Sequence, residues 1–464
     1  MNKQSIPRLV IAATSSGAGK TTIVSGILAN LYKAGLIVQP YKVGPDYIDP
    51  GYHRLASGKP GHNLDTWLVP PGKLTDIFLS TAKGNDIAVI EGVMGLYDGG
   101  REGVSSTAAI AKLLQAPVVL VIDVKSMGES AAAIAYGFKC YDPGVQLAGV
   151  ILNRVGSETH RLMVCQAIEK LDIPVLGCIY RNDKLALPQR HLGLTPVTEH
   201  SAAAVLSAIS EQIGRQVDIK RLVSLAQSAP PLPAPAAVEA AQTAKVRIGV
   251  AQDEAFSFYY EESLAVLAAN GAELIRFSPL NDKELPLVDG LFFGGGFPEM
   301  FVERLSANAG MRAAILASGQ SGMPIYAECG GLMYLTRSIT DFDGGVFPMV
   351  GLVPATSLMK TRLQTVGYVK ASARSDNLLC SAGDVIRGHE FHFSQMLPEL
   401  PDEEFPWAFN FTKVRTGATC PGGYAANNIV ASYLHMHFAG NLSAAEKFIR
   451  QCRNFNRSRS AARG

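Results

Sequence analysis

A chain of 464 residues, 47% hydrophobic and 18% charged, has the length for two or more domains with separate cores and the composition of an ordinary globular protein. Its net charge of +2 argues against a nucleic-acid partner, and no apolar run is long enough to span a membrane. Seven scattered cysteines with no C-x-x-C pair argue against a zinc site or a disulfide framework and fit a reducing, cytoplasmic setting. Met1 leads into polar residues, so no signal peptide is expected.

Residues 8–225 alternate short apolar runs with helical spacing. Strands are expected at 8–13, 37–41, 87–90, 118–122, 148–152 and 175–179. Such alternation predicts a parallel sheet with helices on both faces, and ligands bind beyond the carboxyl ends of its strands. The first strand runs into Thr14-Ser15-Ser16-Gly17-Ala18-Gly19-Lys20-Thr21-Thr22 and then an apolar helix. Strand, glycine-rich turn, Lys-Thr and helix are the context of a phosphate-binding loop. Its backbone N–H groups curl round phosphate, the lysine neutralises charge, and the threonine hydroxyl reaches Mg²⁺. Thr14 stands where the usual pattern has glycine. A glycine-rich turn with a stray lysine would share these residues, but the flanks favour the nucleotide loop. Ser16, Gly17, Ala18, Gly19, Lys20, Thr21 and Thr22 are therefore expected to bind ATP.

The next strand ends in Lys42-Val43-Gly44-Pro45-Asp46-Tyr47-Ile48-Asp49-Pro50, a loop carrying two carboxylates. The third ends in Glu91-Gly92-Val93-Met94-Gly95-Leu96-Tyr97-Asp98. A carboxylate at a strand end is where a phosphate-loop enzyme places a metal ligand, and Mg²⁺ prefers oxygen. Thr21, Asp46 and Glu91 are the expected metal set, and Asp98 is expected to position substrate. Asp123, after the fourth strand, reads equally well as a helix cap. Asn153, after the fifth, has an amide suited to the adenine rim.

Residues 227–245 are rich in proline and alanine and read as a linker between a first domain at 1–226 and a second at 246–445. Further strands are expected at 246–251, 273–277, 290–293 and 324–327. One ends in Gly294-Gly295-Gly296, whose N–H groups suit an oxyanion. Another leads into Glu328-Cys329-Gly330-Gly331, laid out as a nucleophile elbow in which a helix N-terminus favours the thiolate. The oxyanion donors are expected from Gly295, Gly296 and Gly330. His435 and His437 alternate as on a strand, so both should face one side, and either suits a base for Cys329. A second group, His389, Glu390 and His392, matches no familiar zinc spacing. Residues 446–464 hold Arg450, Arg453, Arg457, Arg459 and Arg463 and read as the end of a helix and a frayed, solvated basic tail.

These motifs together resemble the cobyrinate a,c-diamide synthase family of corrinoid assembly, over residues 8–445. The 42–50 loop discriminates most, because the related cobyric acid synthases share the layout without it. The resemblance implies a dethiobiotin synthetase-like, P-loop NTPase-like α/β domain joined to a class I glutamine amidotransferase α/β domain. It implies ATP and Mg²⁺ as cofactors, glutamine and a corrinoid, cobyrinic acid, as substrates, and leaves a homodimer open. Cys329 would attack glutamine, with His435 as base. ATP would convert the a and c acetate carboxylates to acyl phosphates, which ammonia converts to amides. Ordinary class I enzymes carry a glutamate two residues after the base, where this chain has His437, so the group that orients His435 is unassigned. The same chemistry on hydrogenobyrinic acid or nickel sirohydrochlorin is the alternative substrate reading. A ParA/MinD-type switch is disfavoured, since its signature lysine is replaced here by Ser15.

Overall fold

The computed structural model describes residues 3–100, 104–182, 199–233 and 245–461. These fall into two compact units, one formed by the residues up to 233 and the other by those from 245 onward.

The first unit is built on a seven-stranded sheet. Its order is His62–Leu64, Val38–Val43, Ile87–Glu91, Arg8–Ala13, Val118–Asp123, Leu147–Val155, Val175–Tyr180, and every pairing is parallel. The central strand Arg8–Ala13 is buried along its whole length, as a strand covered on both faces must be, and this explains its unbroken apolar run. The helix Lys20–Lys33 lays Ile23, Val24, Ile27, Leu28 and Leu31 into the core. Gly26 allows a close crossing, because a Cβ there would come within 2.5 Å of Ile213 Cγ1.

The first unit extends past its expected end at 226. The helix Ile219–Gln227 packs on it, and Leu232–Pro233 pairs antiparallel with Lys3–Gln4. Arg8 ties this segment down by donating to Pro230 O at 2.6 Å. The start of the expected linker is therefore part of the domain, and the rest, 234–244, lies outside the described residues.

The second unit is built on a ten-stranded sheet. Five strands, Ala272–Phe277, Val246–Ala251, Gly290–Phe293, Ile325–Glu328 and Ile429–Ser432, are parallel. The sheet continues antiparallel through Thr419–Ala426, Trp407–Lys413, Thr365–Ala373 and Val385–His392 to His435–Met436. Only Tyr433 and Leu434 separate Ile429–Ser432 from His435–Met436 in sequence, yet four strands lie between them in the sheet order. The sheet therefore curls back on itself.

The C-terminal segment corrects the expectation of a frayed end. Leu442–Ala461 is one helix that buries Ala444, Ala445, Phe448, Ile449 and Cys452. Arg459 Nη2 meets Asp289 Oδ1 at 2.7 Å and Arg453 donates to Asn270 O at 2.7 Å. Arg453 and Arg459 are half-buried beside the apolar stripe, while Arg450 and Arg457 are exposed. Arg463 is outside the described residues.

Candidate active site

In the first unit, residues 14–22 join the central strand to its helix. Gly17 and Gly19 have φ of +78° and +92°, a left-handed backbone that favours glycine, and Gly19 sits at the N-cap of the helix. A cavity of about 690 Å³ lies against this turn, lined by every loop residue from Ser16 to Thr22 except the buried Ala18. Lys20 donates to the Met94 carbonyl. Burial, followed by the nearby Lys42 charge, lowers its pKa to about 8.

Asn153 lines the same cavity, but its amide is turned toward the loop. Nδ2 donates to Ala18 O at 2.8 Å and Oδ1 accepts from Arg154 N at 2.9 Å. A Cβ on Gly19 would come within 2.4 Å of Nδ2, so Asn153 braces the turn at close quarters.

Behind the loop is a buried charge cluster. Lys42 Nζ lies 2.5 Å from Asp49 Oδ2 and 2.9 Å from Glu91 Oε1. Thr21 Oγ1 is 2.8 Å from Glu91 Oε1 and 3.3 Å from Asp49 Oδ2. His53 Nε2 holds the other Glu91 oxygen at 2.6 Å. Burial alone would raise the Glu91 pKa, but Lys42 and His53 more than reverse this and hold it well below the usual carboxylate range. Burial and the neighbouring Asp46 push Asp49 the other way.

The expected metal set is thus only partly gathered. Thr21 and Glu91 are together, and the second carboxylate beside them is Asp49. Asp46 lines the cavity, but its Oδ1 accepts from Ile48 N at 2.7 Å and Asp49 N at 3.3 Å, which caps the start of the helix Asp49–Ser57. Asp98 Oδ2 accepts from Gly95 N at 3.0 Å, and its charge favours protonated Lys20. Asp123 pairs with Arg154, and its Oδ1 caps Lys125 N at 3.0 Å. Among the described residues no three His, Cys, Asp or Glu side chains group as a metal cage. One hydroxyl and two carboxylates fit Mg²⁺ in the way it is commonly bound, completed by phosphate oxygens and water.

In the second unit Cys329 stands at the end of Ile325–Glu328, before the helix Gly330–Leu335. Its φ of +45° is strained for a side-chain-bearing residue and marks a sharp elbow. Its N–H donates to Ser432 O at 2.7 Å. The expected thiolate is not favoured. Burial raises the Cys329 pKa, and the carboxylates of Glu299, Glu328 and Glu390 raise it further, outweighing a helix of six residues.

The glycines converge on this elbow. Gly331 N donates to Gly294 O at 3.1 Å. A Cβ on Gly330 would lie 3.0 Å from Gly296 N, and one on Gly295 would lie 2.6 Å from His435 Cε1. Gly295, Gly296, Gly330 and His435 therefore share one corner. His435 and His437 have different carboxylate partners. His435 Nδ1 lies 3.4 Å from Glu328 Oε2, whereas His437 Nε2 lies 3.7 Å from Glu262 Oε2 and its ring stacks on Tyr260.

Comparison with known proteins accords with both halves. The family of CobQ/CobB/MinD/ParA nucleotide binding domains matches residues 9–194, and that of CobB/CobQ-like glutamine amidotransferase domains matches 247–442. A cobyrinate a,c-diamide synthase of Dehalococcoides mccartyi is 45% identical over 97% of this chain and 99% of its own. The chain belongs to the cobyrinate a,c-diamide synthase family. A member from Listeria monocytogenes is 44% identical over 94% of this chain and 97% of its own. A hydrogenobyrinate a,c-diamide synthase of Streptomyces coelicolor is 42% identical over 97% and 98%.

As a cobyrinate a,c-diamide synthase family member, the chain is a ligase with a nucleotide-binding domain and a glutamine amidotransferase domain. Four residues of its two sites had no role assigned from sequence: Lys42, Asp49, His53 and Glu328. Lys42 and Asp49 stand in the discriminating 42–50 loop, and the signal for Glu328 is its place next to Cys329.

Proposed function

We propose that the chain amidates the a and c acetate side chains of cobyrinic acid, using one ATP and one glutamine for each. In the first unit a substrate carboxylate oxygen attacks the γ-phosphorus of ATP, ADP leaves, and an acyl phosphate forms. Ammonia then attacks the acyl carbon and phosphate departs, leaving the amide. A carboxylate is a poor electrophile and an acyl phosphate a good one, so phosphorylation comes first. Bound Mg²⁺ would neutralise charge across the phosphates. Thr21, Glu91 and Asp49 would hold it, with Asp46 near the same cavity. Lys20 meets the transferring phosphoryl group, and the turn at 16–22 cradles its neighbours.

In the second unit Cys329 Sγ attacks the side-chain carbonyl carbon of glutamine. His435 takes the thiol proton and returns it to the departing ammonia. Backbone N–H groups at Gly295, Gly296 and Gly330 stabilise the oxyanion. Water then releases glutamate from the thioester.

The observation that carries this reading is the near end-to-end similarity to cobyrinate a,c-diamide synthases. The test is incubation with ATP, Mg²⁺, glutamine and cobyrinic acid, followed by mass analysis. The expected product has gained two amides in an ATP-dependent manner. Amidation of hydrogenobyrinic acid or nickel sirohydrochlorin in preference would replace the substrate assignment, and no amidation of any of the three would overturn the reading.

A further inference from the structure

We infer that Glu328, the residue immediately before the nucleophile, is the acid that orients His435 and so completes the glutaminase site. The inference rests on the roles proposed above for Cys329 and His435. Glu328 Oε2 lies 3.4 Å from His435 Nδ1, and both side chains are nearly sealed from solvent, at 4% and 2% exposure. A carboxylate facing Nδ1 holds the proton on that nitrogen and leaves Nε2 to exchange a proton with a thiol.

The carboxylate is itself fixed. Oε1 accepts from Met436 N at 3.2 Å and from the Tyr326 hydroxyl. The Met436 bond comes from the residue next to the base, so carboxylate and imidazole are held in mutual register by the backbone. The strand Ile325–Glu328 pairs with Ile429–Ser432, with Glu328 opposite Ser432, and Cys329 N donates to Ser432 O. One strand end thus delivers nucleophile and acid together. His389 lies across the other side of the base, its ring stacked at 5.0 Å and 24°. Burial, reinforced by His435, drives the His389 pKa well down, so it adds a neutral flat wall.

The position expected to hold the acid cannot serve. His437 Nδ1 accepts from Ala439 N at 3.2 Å, and its other nitrogen faces Glu262. Glu390 lies 3.7 Å from His392, a separate pair.

Glu328→Gln preserves shape and removes the charge. Glutamine-dependent kcat should fall about 10²- to 10⁴-fold, the range seen when a triad acid is neutralised, with KM for glutamine changed little. The acid limb of the glutamine pH profile should move to lower pH. Glu328→Asp should recover part of the loss. A kcat within about threefold of wild type, with an unmoved limb, in a variant that melts like wild type would overturn the inference. Should Glu328→Gln not fold, Glu328→Asp carries the test: reduced kcat with a displaced limb supports the inference, and wild-type values overturn it. Cys329→Ser separates the two layers. If that variant still hydrolyses glutamine, the proposed nucleophile is wrong. If it does not, and Glu328→Gln does, only the role of Glu328 fails.

Discussion

Lys42 Nζ sits 2.9 Å from Glu91 Oε1, and both side chains are buried. Neither charge could stand alone there, because an unpaired buried ion loses its hydration without compensation. Lys42→Met should therefore cost about 3–5 kcal/mol of stability and abolish amidation. Lys42→Met combined with Glu91→Gln should be milder than the sum of the two single changes. Denaturant unfolding of the four proteins checks this, and strict additivity would show the pair is not coupled.

Asp49 and Asp46 should separate under magnesium titration. Asp49 shares Thr21 and Lys42 with Glu91, while Asp46 caps a helix start. Asp49→Asn should raise the Mg²⁺ concentration needed for ATP-dependent amidation more than Asp46→Asn does. Asp46→Ala, which removes the capping acceptor, should show chiefly in stability, by about 1 kcal/mol, and Asp46→Asn, which keeps one, should cost little. The reverse order would return Asp46 to the metal.

Asp98 holds the Gly95 turn and lends its charge to Lys20. Asp98→Ala should lower the amidation rate while ATP still binds, with Asp98→Asn keeping the turn better than the rate. Steady-state kinetics with magnesium and corrinoid varied separately decide this. Near wild-type turnover in the alanine variant would leave Asp98 a turn residue only.

Glu299 gives a pH signature. Burial raises its pKa from 4.5 to about 7. Between those values the unfolded chain has released the proton and the folded chain still binds it, so stability falls as pH rises through that window. The cost at the top is on the order of 3 kcal/mol. Glu299→Gln should therefore raise Tm relative to wild type above pH 7 and leave it little changed near pH 4.5. An equal shift at both pH values would mean that the effect is not ionisation.

The strands of both units were legible because buried parallel strands are nearly continuous apolar runs, as at Arg8–Ala13 and Gly290–Phe293. The phosphate turn and the cysteine elbow were legible because each is a short local pattern between a strand and a helix. Strands such as Thr365–Ala373, half buried and interrupted by Gly367 and Lys370, carried no such run. Spacing also could not tell which carboxylate of the 42–50 loop turns inward, since Asp46 and Asp49 are three residues apart and a helix start divides their roles. Glu328 escaped for a different reason. Its contact with His435 spans more than a hundred residues and exists only because the strand Ile325–Glu328 pairs with Ile429–Ser432, just before the histidine. The basic C-terminus was misread because its charges outnumber the few apolar residues that dock it.

The close tie between the proposed nucleophile and base makes glutamine turnover a gauge of a single strand pair. Cys329 follows the strand that pairs with Ile429–Ser432, and His435 stands three residues beyond that neighbour, so a slip in the stagger of these two strands opens directly into the gap between thiol and imidazole. A strand-weakening substitution in this pair should silence the glutaminase while near-native circular dichroism persists, whereas one in the distant strand Trp407–Lys413 should not. Catalysis here would fail by slippage before the protein fails by unfolding.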